Sequence, residues 1–147
     1  MDMNRGPGGA TAGARARRRV VRRWAVVGAL TAACHPPEPV RIGVALGQDG
    51  LDGAALALED IRALGPPAGR SVELIALQDV HGTSAMAAIE SAETFSADPR
   101  VIVVVGHSNS AATLAASQVY NAKRLPSVAP TSTAPLLSKA GPYSFRI

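Results

Sequence analysis

The sequence predicts an α/β fold with three layers, α/β/α, built around a mainly parallel sheet. From Val40 onward, short apolar runs alternate with helical patterns, and this order favours parallel strands with helices on both faces. The clearest unit is Val101–Val119, in which a valine-rich run is followed by a turn of small polar residues and an alanine-rich helix. At 147 residues, the chain has room for one domain.

The first half of the folded part contains two strands and one helix. Val40–Leu46 is an apolar run and predicts the first strand, and Val72–Leu77 predicts the second. Gly50–Leu64 predicts a helix between them, because its apolar residues recur at helical spacing. The Gly- and Pro-rich segment 65–69 ends that helix. The predicted buried face comprises Leu51, Ala54, Ala55, Leu58 and Ile61.

The second half continues the alternation. A helix capped by Thr83 or Ser84 is predicted to run to about Ala97, where Asp98-Pro99 ends it, because a residue before proline avoids the α region. Its predicted inward residues are Met86, Ile89 and Ala92. The remaining predictions are the strand Val101–Val105, the helix Ser110–Ala122, the strand Pro126–Ala129 and the strand Tyr143–Ile147.

The N-terminal segment has the layout of an export signal. Arginines precede the apolar run Trp24–Ala33, which is too short to span a bilayer. The segment 30–34, Leu-Thr-Ala-Ala-Cys, resembles a bacterial lipobox, in which the cysteine carries the lipid. We therefore predict a signal peptide at 1–33, a lipidation site at Cys34 and a Pro-rich tether at 34–39. A secretory signal with an incidental cysteine is the alternative.

Composition excludes several classes of function. The net charge of +4 arises in the N-terminal segment, because residues 1–34 hold seven arginines and one acid, while the rest holds eight basic and ten acidic residues. With 3% aromatics as well, the folded part is not predicted to bind nucleic acid. Three histidines and one cysteine show no metal-ligand spacing, so neither a metal nor a cofactor is predicted.

Polar turns at the carboxyl ends of the third and fourth strands are the candidate binding site. Ser110 begins a helix after the third strand, and Thr131, Ser132 and Thr133 follow the fourth strand. Ligands of parallel sheets bind at this edge, and hydroxyls beside a helix N-terminus suit a carboxylate. The same residues also commonly cap helices and turns, so both interpretations remain open. His107 is expected to be structural, and Asp79 either holds a loop or lines the site.

The sequence lacks the complete motifs of three classes of enzyme or nucleotide-binding protein. The turn Gly106-His107-Ser108-Asn109-Ser110 resembles the Gly-x-Ser-x-Gly elbow of α/β-hydrolases, but no histidine follows Ser108 to serve as its base. A secreted serine hydrolase therefore stays a remote alternative. Neither a dinucleotide-binding nor a phosphate-binding glycine motif occurs. The chain is predicted not to be an enzyme.

The segment Val40–Ile147 resembles the N-terminal lobe of type I periplasmic solute-binding proteins of ABC transporters, in the leucine/isoleucine/valine-binding group. The matching motifs, in chain order, are IGVA, LGQDGLDGAALALEDI, VVVGHSNSAATLAAS-VY, LPSVAPTSTAPLL and YSFRI. The resemblance implies a Rossmann-like lobe over 40–147. Since the family closes two lobes on its ligand, it also implies that the second lobe is absent here and that this lobe is truncated.

The resemblance implies a set of ligand-binding residues. Ser110 and Thr133 match donors to the carboxylate of an amino acid, and the carbonyl of Thr131 matches the acceptor for its ammonium. Ser108, Asn109 and Ser132 match positions that line the pocket. Relatives carry a longer loop between the first strand and helix, so this pocket is expected to be open on one side.

Together, the export signal and the resemblance predict an exported, periplasmic or cell-surface protein, anchored by a lipid on Cys34. The resemblance implies that it is the substrate-binding component of an ABC importer and captures a branched-chain or similar amino acid or a related small polar solute. Its partners would be the ligand and ABC permease subunits in the membrane. The alternatives are a sensor lobe for amino acids or amides and a remnant without function.

Overall fold

The computed structural model describes residues 37–79 and 84–147. The predicted signal peptide and Cys34 lie outside the described residues, and the described part of the tether, 37–39, forms no regular structure. Among the described residues, no helix combines the length and the apolar character that crossing a bilayer requires.

Five strands and three helices alternate as the sequence predicts. Predicted and observed ends differ by two residues or fewer, because the patterns locate an element better than its last turn. Two short 3₁₀ turns, Pro67–Gly69 and Pro135–Lys139, fall in segments predicted to be loops. The elements are β1 Val40–Leu46, α1 Gln48–Leu64, β2 Val72–Gln78, α2 Ala85–Ala97, β3 Val101–Gly106, α3 Ser110–Lys123, β4 Ser127–Ala129 and β5 Ser144–Arg146.

The strands form one sheet in the order β2-β1-β3-β4-β5, and every neighbouring pair is parallel. All five carboxyl ends therefore lie at the same edge of the sheet. Because β3 and β4 are neighbours, the turns that follow them are adjacent as well. The three-layer α/β/α prediction is confirmed, with α1 on one face and α2 and α3 on the other.

The main core lies between the sheet and the helices α2 and α3. Phe95 and Tyr120 are its largest fully buried hydrophobic side chains, packed among alanines and valines. Gly43 leaves room for this packing, because a Cβ at that position would lie 2.8 Å from the Phe95 ring. Small residues on the sheet and helices thus allow one aromatic ring to fill the space between them.

The opposite face of the sheet is covered only in part. Helix α1 packs on β1 and β2, with Leu58 as its buried residue. Beyond α1, the register places Val105, Val128 and Phe145 side by side on this face. Phe145 is 56% exposed. The described residues therefore leave an apolar strip of the sheet open to solvent.

Two predicted inward residues are wrong. Met86 is 65% exposed, and Ala55 on α1 is exposed as well. The buried side of α2 consists of Ala88, Ala92 and Phe95. The pattern favoured Met86 because it is apolar, but Met86 lies in the first turn of α2, ahead of the residues that contact the sheet.

A cluster of charges closes the opposite, amino-terminal edge of the sheet. Arg41 donates to Glu73 at 2.9 Å and also contacts Asp98. Arg100 donates to Asp98 from both its backbone and its side chain. These bonds, those of Arg100 first, hold the pKa of Asp98 well below its usual range. The cluster lies at the far end of the strands from the candidate site.

Strand β3 ends at Gly106, a position that accepts only glycine. Its φ of 147° is a conformation that other residues rarely adopt, and a Cβ there would overlap the carbonyl oxygen of Ala45 on β1. Glycine therefore lets β3 turn toward the site while it lies close against β1.

We expect Gly106→Ala to lower the free energy of unfolding by about 1–3 kcal/mol, because the added methyl meets both strain and overlap. Gly53→Ala is the matched control. Gly53 lies in the middle of α1, and an added methyl there would have no heavy atom within 4 Å. We expect that change to raise the free energy of unfolding by about 0.5–1 kcal/mol. Urea denaturation measures both, and a loss of equal size in the two variants would contradict the assignment.

Candidate functional site

Four turns meet at the carboxyl edge of the sheet. Gly47 alone joins β1 to α1, and Asp79 follows β2. The turn 107–110, whose last residue is also the first of α3, joins β3 to that helix, and the turn 130–134 follows β4. We call the last two the ligand turns, because they carry all six residues predicted to bind a ligand.

An open groove of about 700 Å³ lies beside these turns. One wall is formed by the start of α1, and the other carries Ser108 and Thr131. Most of its surface is apolar, although five of its nine lining residues are polar, and Asp49 is the charged one among them. The lining comprises Leu46, Gly47, Gln48, Asp49, Gly50, Gln78, Ser108, Pro130 and Thr131. Ser110 and Thr133 are not part of this lining.

The hydroxyl of Ser108 is used within the protein. It accepts a hydrogen bond from Gly47 N–H at 3.0 Å and lies 3.3 Å from the carbonyl oxygen of Asp79, to which it donates. Ser108 therefore ties the first ligand turn to the ends of β1 and β2. What it presents to the groove is the remaining lone pair of its oxygen.

Asn109 is the N-cap of α3. Its side-chain oxygen accepts from Ala112 N–H at 2.9 Å, and its carbonyl accepts the first helical bond, from Thr113 N–H at 3.0 Å. The N–H groups of Ser110 and Ala111 precede that bond and belong to the positive end of the helix dipole. The helix thus begins at the site.

Ser110 links the two ligand turns directly. Its Oγ accepts a hydrogen bond from Ala134 N–H at 3.2 Å, so it lies next to Thr133. In this bond the Ser110 oxygen is the acceptor, which leaves its hydroxyl proton to be donated elsewhere. The two residues predicted to bind one carboxylate therefore lie on touching turns.

The three residues after β4 occupy different environments. Thr131 is exposed, and its hydroxyl donates to the carbonyl of Ser108 at 3.2 Å. Ser132 is buried, with its Oγ 2.7 Å from Thr113 Oγ1. Thr133 is exposed, and its hydroxyl has no hydrogen-bond partner among residues 37–79 and 84–147. Ser132 thus packs the turn from within, while Thr133 faces outward.

A buried chain of Asp79, His107 and Tyr120 lies beneath the first ligand turn. Asp79 is 3% exposed, and the other two are 1% exposed. One Asp79 oxygen accepts from Ser108 N–H at 2.7 Å and lies 3.4 Å from His107 Nδ1. The other ring nitrogen, Nε2, lies 3.1 Å from the Tyr120 hydroxyl. His107 is therefore structural, as the sequence predicts.

Burial sets the charge state of this chain. It lowers the pKa of His107, an effect that the nearby carboxylate of Asp79 opposes. Burial first, and Asp79 second, also raises the pKa of Tyr120. His107 and Tyr120 are therefore neutral near neutral pH.

The same contacts bear on the hydrolase alternative. The two ring nitrogens of His107 are directed at Asp79 and Tyr120, while the Ser108 hydroxyl bonds to the ends of β1 and β2. Within the described residues, this pair lacks the hydrogen bond between nucleophile and base that a serine hydrolase requires. No group of His, Cys, Asp or Glu in the same residues is placed to hold a metal ion.

Three residues of the site were not predicted from the sequence, because their roles depend on neighbours that are distant along the chain. Thr113 bonds to both ligand turns from inside α3, and Tyr120 supports His107. Arg146 on β5 donates to the carbonyl of Thr133 at 3.4 Å. The threonine gave a usable signal, because a hydroxyl on the inner side of an alanine-rich helix needs a polar partner.

The fold and the site define a class, an α/β lobe with a parallel sheet and an open groove at its carboxyl edge. The sequence profile of the family described as periplasmic binding protein matches residues 42–147. The chain belongs to this family. A comparison with curated protein sequences returns no match.

Solved structures of the same family superpose on the described lobe. An ABC transporter substrate-binding protein from Desulfitobacterium hafniense, in complex with Leu, is 30% identical with a TM-score of 0.66. A putative branched-chain amino acid ABC transporter from Rhodospirillum rubrum is 29% identical with a TM-score of 0.65. LivJ from Streptococcus pneumoniae, in complex with isoleucine, is 25% identical with a TM-score of 0.65.

Each alignment covers 74% of this chain and 33% of the solved chain. The chain thus spans about a third of the length of the structures it matches.

The burial of His107 predicts a pH dependence of stability. The unfolded chain takes up a proton below about pH 6.5, whereas folded His107 does so only at a lower pH. The free energy of unfolding is therefore expected to be constant above that pH, and to fall by at most about 1.4 kcal/mol per unit as the pH drops below it.

Urea denaturation between about pH 5 and pH 8 measures this fall, and His107→Gln is expected to remove it. His35 and His81 are present in both proteins, so the difference between them isolates His107. An equal slope in the variant would contradict the prediction.

Proposed function

We propose that this chain is a ligand-binding lobe of the substrate-binding component of an ABC importer. It captures an amino acid, branched-chain or similar, or a related small polar solute outside the cytoplasmic membrane. Membership of the periplasmic binding protein family supports this proposal. Two solved relatives, one in complex with leucine and one with isoleucine, support the ligand class.

One observation carries the proposal. The hydrogen bond from Ala134 N–H to Ser110 Oγ, 3.2 Å long, joins the two ligand turns. It brings the hydroxyls of Ser110 and Thr133 to the same corner of the sheet edge. In the proposed site, these two hydroxyl donors and the positive end of α3 bind one carboxylate, an anion that such a set suits.

The rest of the ligand follows from that placement. When the carboxylate of the ligand lies at Ser110 and Thr133, the ammonium of the ligand lies toward the carbonyl of Thr131. The side chain of the ligand extends into the groove, past Ser108 toward Gln48 and Gln78. Asn109 and Ser132 hold the turns from behind. The groove is open, so this surface buries one side of a small ligand.

Capture without chemistry accounts for the polar groups of the site. The hydroxyls and helix N–H groups bind an anion but activate no nucleophile, and His107 is engaged beneath the turn. A bound solute then passes to ABC permease subunits in the membrane. The protein acts outside the cytoplasm, held at the membrane by a lipid on Cys34.

We expect Ser110→Ala combined with Thr133→Ala to abolish measurable binding. A hydrogen bond to a charged group contributes about 1.5–3 kcal/mol, so each hydroxyl accounts for roughly tenfold or more in affinity. Calorimetric titration of the purified protein with L-leucine, L-isoleucine and a panel of other L-amino acids measures this loss.

Thr94→Ala combined with Ser96→Ala is the matched control. It also removes one threonine hydroxyl and one serine hydroxyl, but from the end of α2. That end precedes β3 and lies at the opposite edge of the sheet. We expect its affinity to equal that of the unmodified chain. Binding that survives in the Ser110/Thr133 variant would refute the proposed site, and silence of a folded, unmodified chain across the panel would refute the function.

The lipid anchor has its own test. We expect the full chain, expressed in a bacterium that processes lipoproteins, to incorporate labelled palmitate and to sediment with membranes. Cys34→Ser is expected to lose the label and to appear in the soluble fraction. An unlabelled Cys34 protein in the soluble exported fraction would favour a simple secretory signal.

A further inference from the structure

Asp79 is the buried charged residue nearest to the ligand turns, and the proposed binding mode does not use it. Its side chain contacts Ser108, is not part of the groove lining and is shielded from solvent. A carboxylate in such a place needs strong hydrogen-bond donors, because burial removes the water that would otherwise solvate it. The donors show what the residue does.

Asp79 contacts Ser108 twice. A carboxylate oxygen accepts the Ser108 N–H at 2.7 Å, and its backbone carbonyl accepts the Ser108 hydroxyl at 3.3 Å. The first bond is short and involves a charged acceptor, which makes it about twice as strong as a neutral one. Together the two bonds fix both the backbone and the side-chain rotamer of Ser108.

Ser108 in turn is hydrogen-bonded to the second ligand turn. Its carbonyl accepts from the Thr131 hydroxyl at 3.2 Å. Its oxygen Oγ also accepts from Gly47 N–H at 3.0 Å. A shift of Ser108 would therefore move the β1–α1 connection and the turn after β4 together.

We propose that Asp79 is the positioning residue of the ligand turns: it sets the place of Ser108, and through Ser108 the spacing between the donors of the two turns. The inference rests on the proposed function, because it assigns a role within that site. Asp79 does not touch the ligand. It acts through the N–H of Ser108. Asp79 itself follows β2, a strand that carries no predicted ligand residue.

The test compares Asp79→Ala, Asp79→Asn and a control, Asp98→Ala, in the full chain. Asp98 is also a hydrogen-bonded carboxylate, but it is the C-cap of α2 and lies at the opposite edge of the sheet. Thermal denaturation measures the stability lost in each variant. Titration with L-leucine and L-isoleucine measures affinity, and amide hydrogen exchange followed by NMR measures the protection of the Ser108 N–H without any ligand.

We expect Asp79→Ala to weaken binding by roughly tenfold or more, because the Ser108 N–H loses its charged acceptor. Asp79→Asn is expected to retain affinity within about threefold, since its amide oxygen still accepts from that N–H. Asp98→Ala is expected to lower the melting temperature while leaving affinity unchanged. Rescue by asparagine and the silent control separate positioning from a general loss of stability.

Amide exchange decides the inference independently of the ligand. We expect the Ser108 N–H to exchange at least about tenfold faster in Asp79→Ala, while Thr113 N–H, inside α3, stays protected. If Asp79→Ala does not fold, a several-fold acceleration in Asp79→Asn confined to Ser108 supports the same role.

Unchanged exchange at Ser108, or an equal loss of affinity in Asp98→Ala, overturns the inference. A failure of the unmodified chain to bind either amino acid, with Ser108 exposed only in the Asp79 variants, overturns the proposed function and leaves the positioning of the turn established.

Discussion

The carbonyl oxygen of His107 is the point on which the site depends. The hydroxyls of Thr113, Thr131 and Ser132 all lie within 3.3–3.4 Å of it. One of these comes from α3 and two from the turn after β4, so a single acceptor links two other parts of the chain to the turn after β3. A buried carbonyl requires such partners, because no water replaces them. The satisfaction of this group brings the ligand turns together.

The position of that carbonyl depends in turn on the sheet. Strand β3 lies between β1 and β4, and Gly106 lets it end close against the carbonyl of Ala45. The His107 side chain then enters the space beneath the turn, where Tyr120 and Asp79 receive it. The parallel sheet brings the turns to one edge. Gly106 and the imidazole of His107 set the direction in which the turn after β3 leaves that edge.

Sequence patterns predicted the elements of this fold because periodicity and turn residues are local properties. The valines of β3 and the cap at Ser84 needed no knowledge of their neighbours. The roles of the hydroxyls in the site could not be predicted from such local patterns. Ser132 and Thr133 are adjacent and chemically alike, yet one is buried and the other exposed. That difference follows from where β4 lies beside α3, and the same holds for the link from Asp79 to Ser108 across 29 positions.

A site of hydroxyls and helix N–H groups also has a consequence for release. A carboxylate paired with a buried arginine or lysine would require both charges to lose water, and separating them again would leave a buried cation unpaired. Neutral donors at the start of α3 avoid that cost, since Ser110 and Thr133 can bond to water when the ligand leaves. Arg146, the cation closest to Thr133, is exposed and bonds to the Thr133 backbone and to Ser138 instead. In the proposed binding mode, affinity therefore depends on how accurately the two turns are held rather than on a fixed charge.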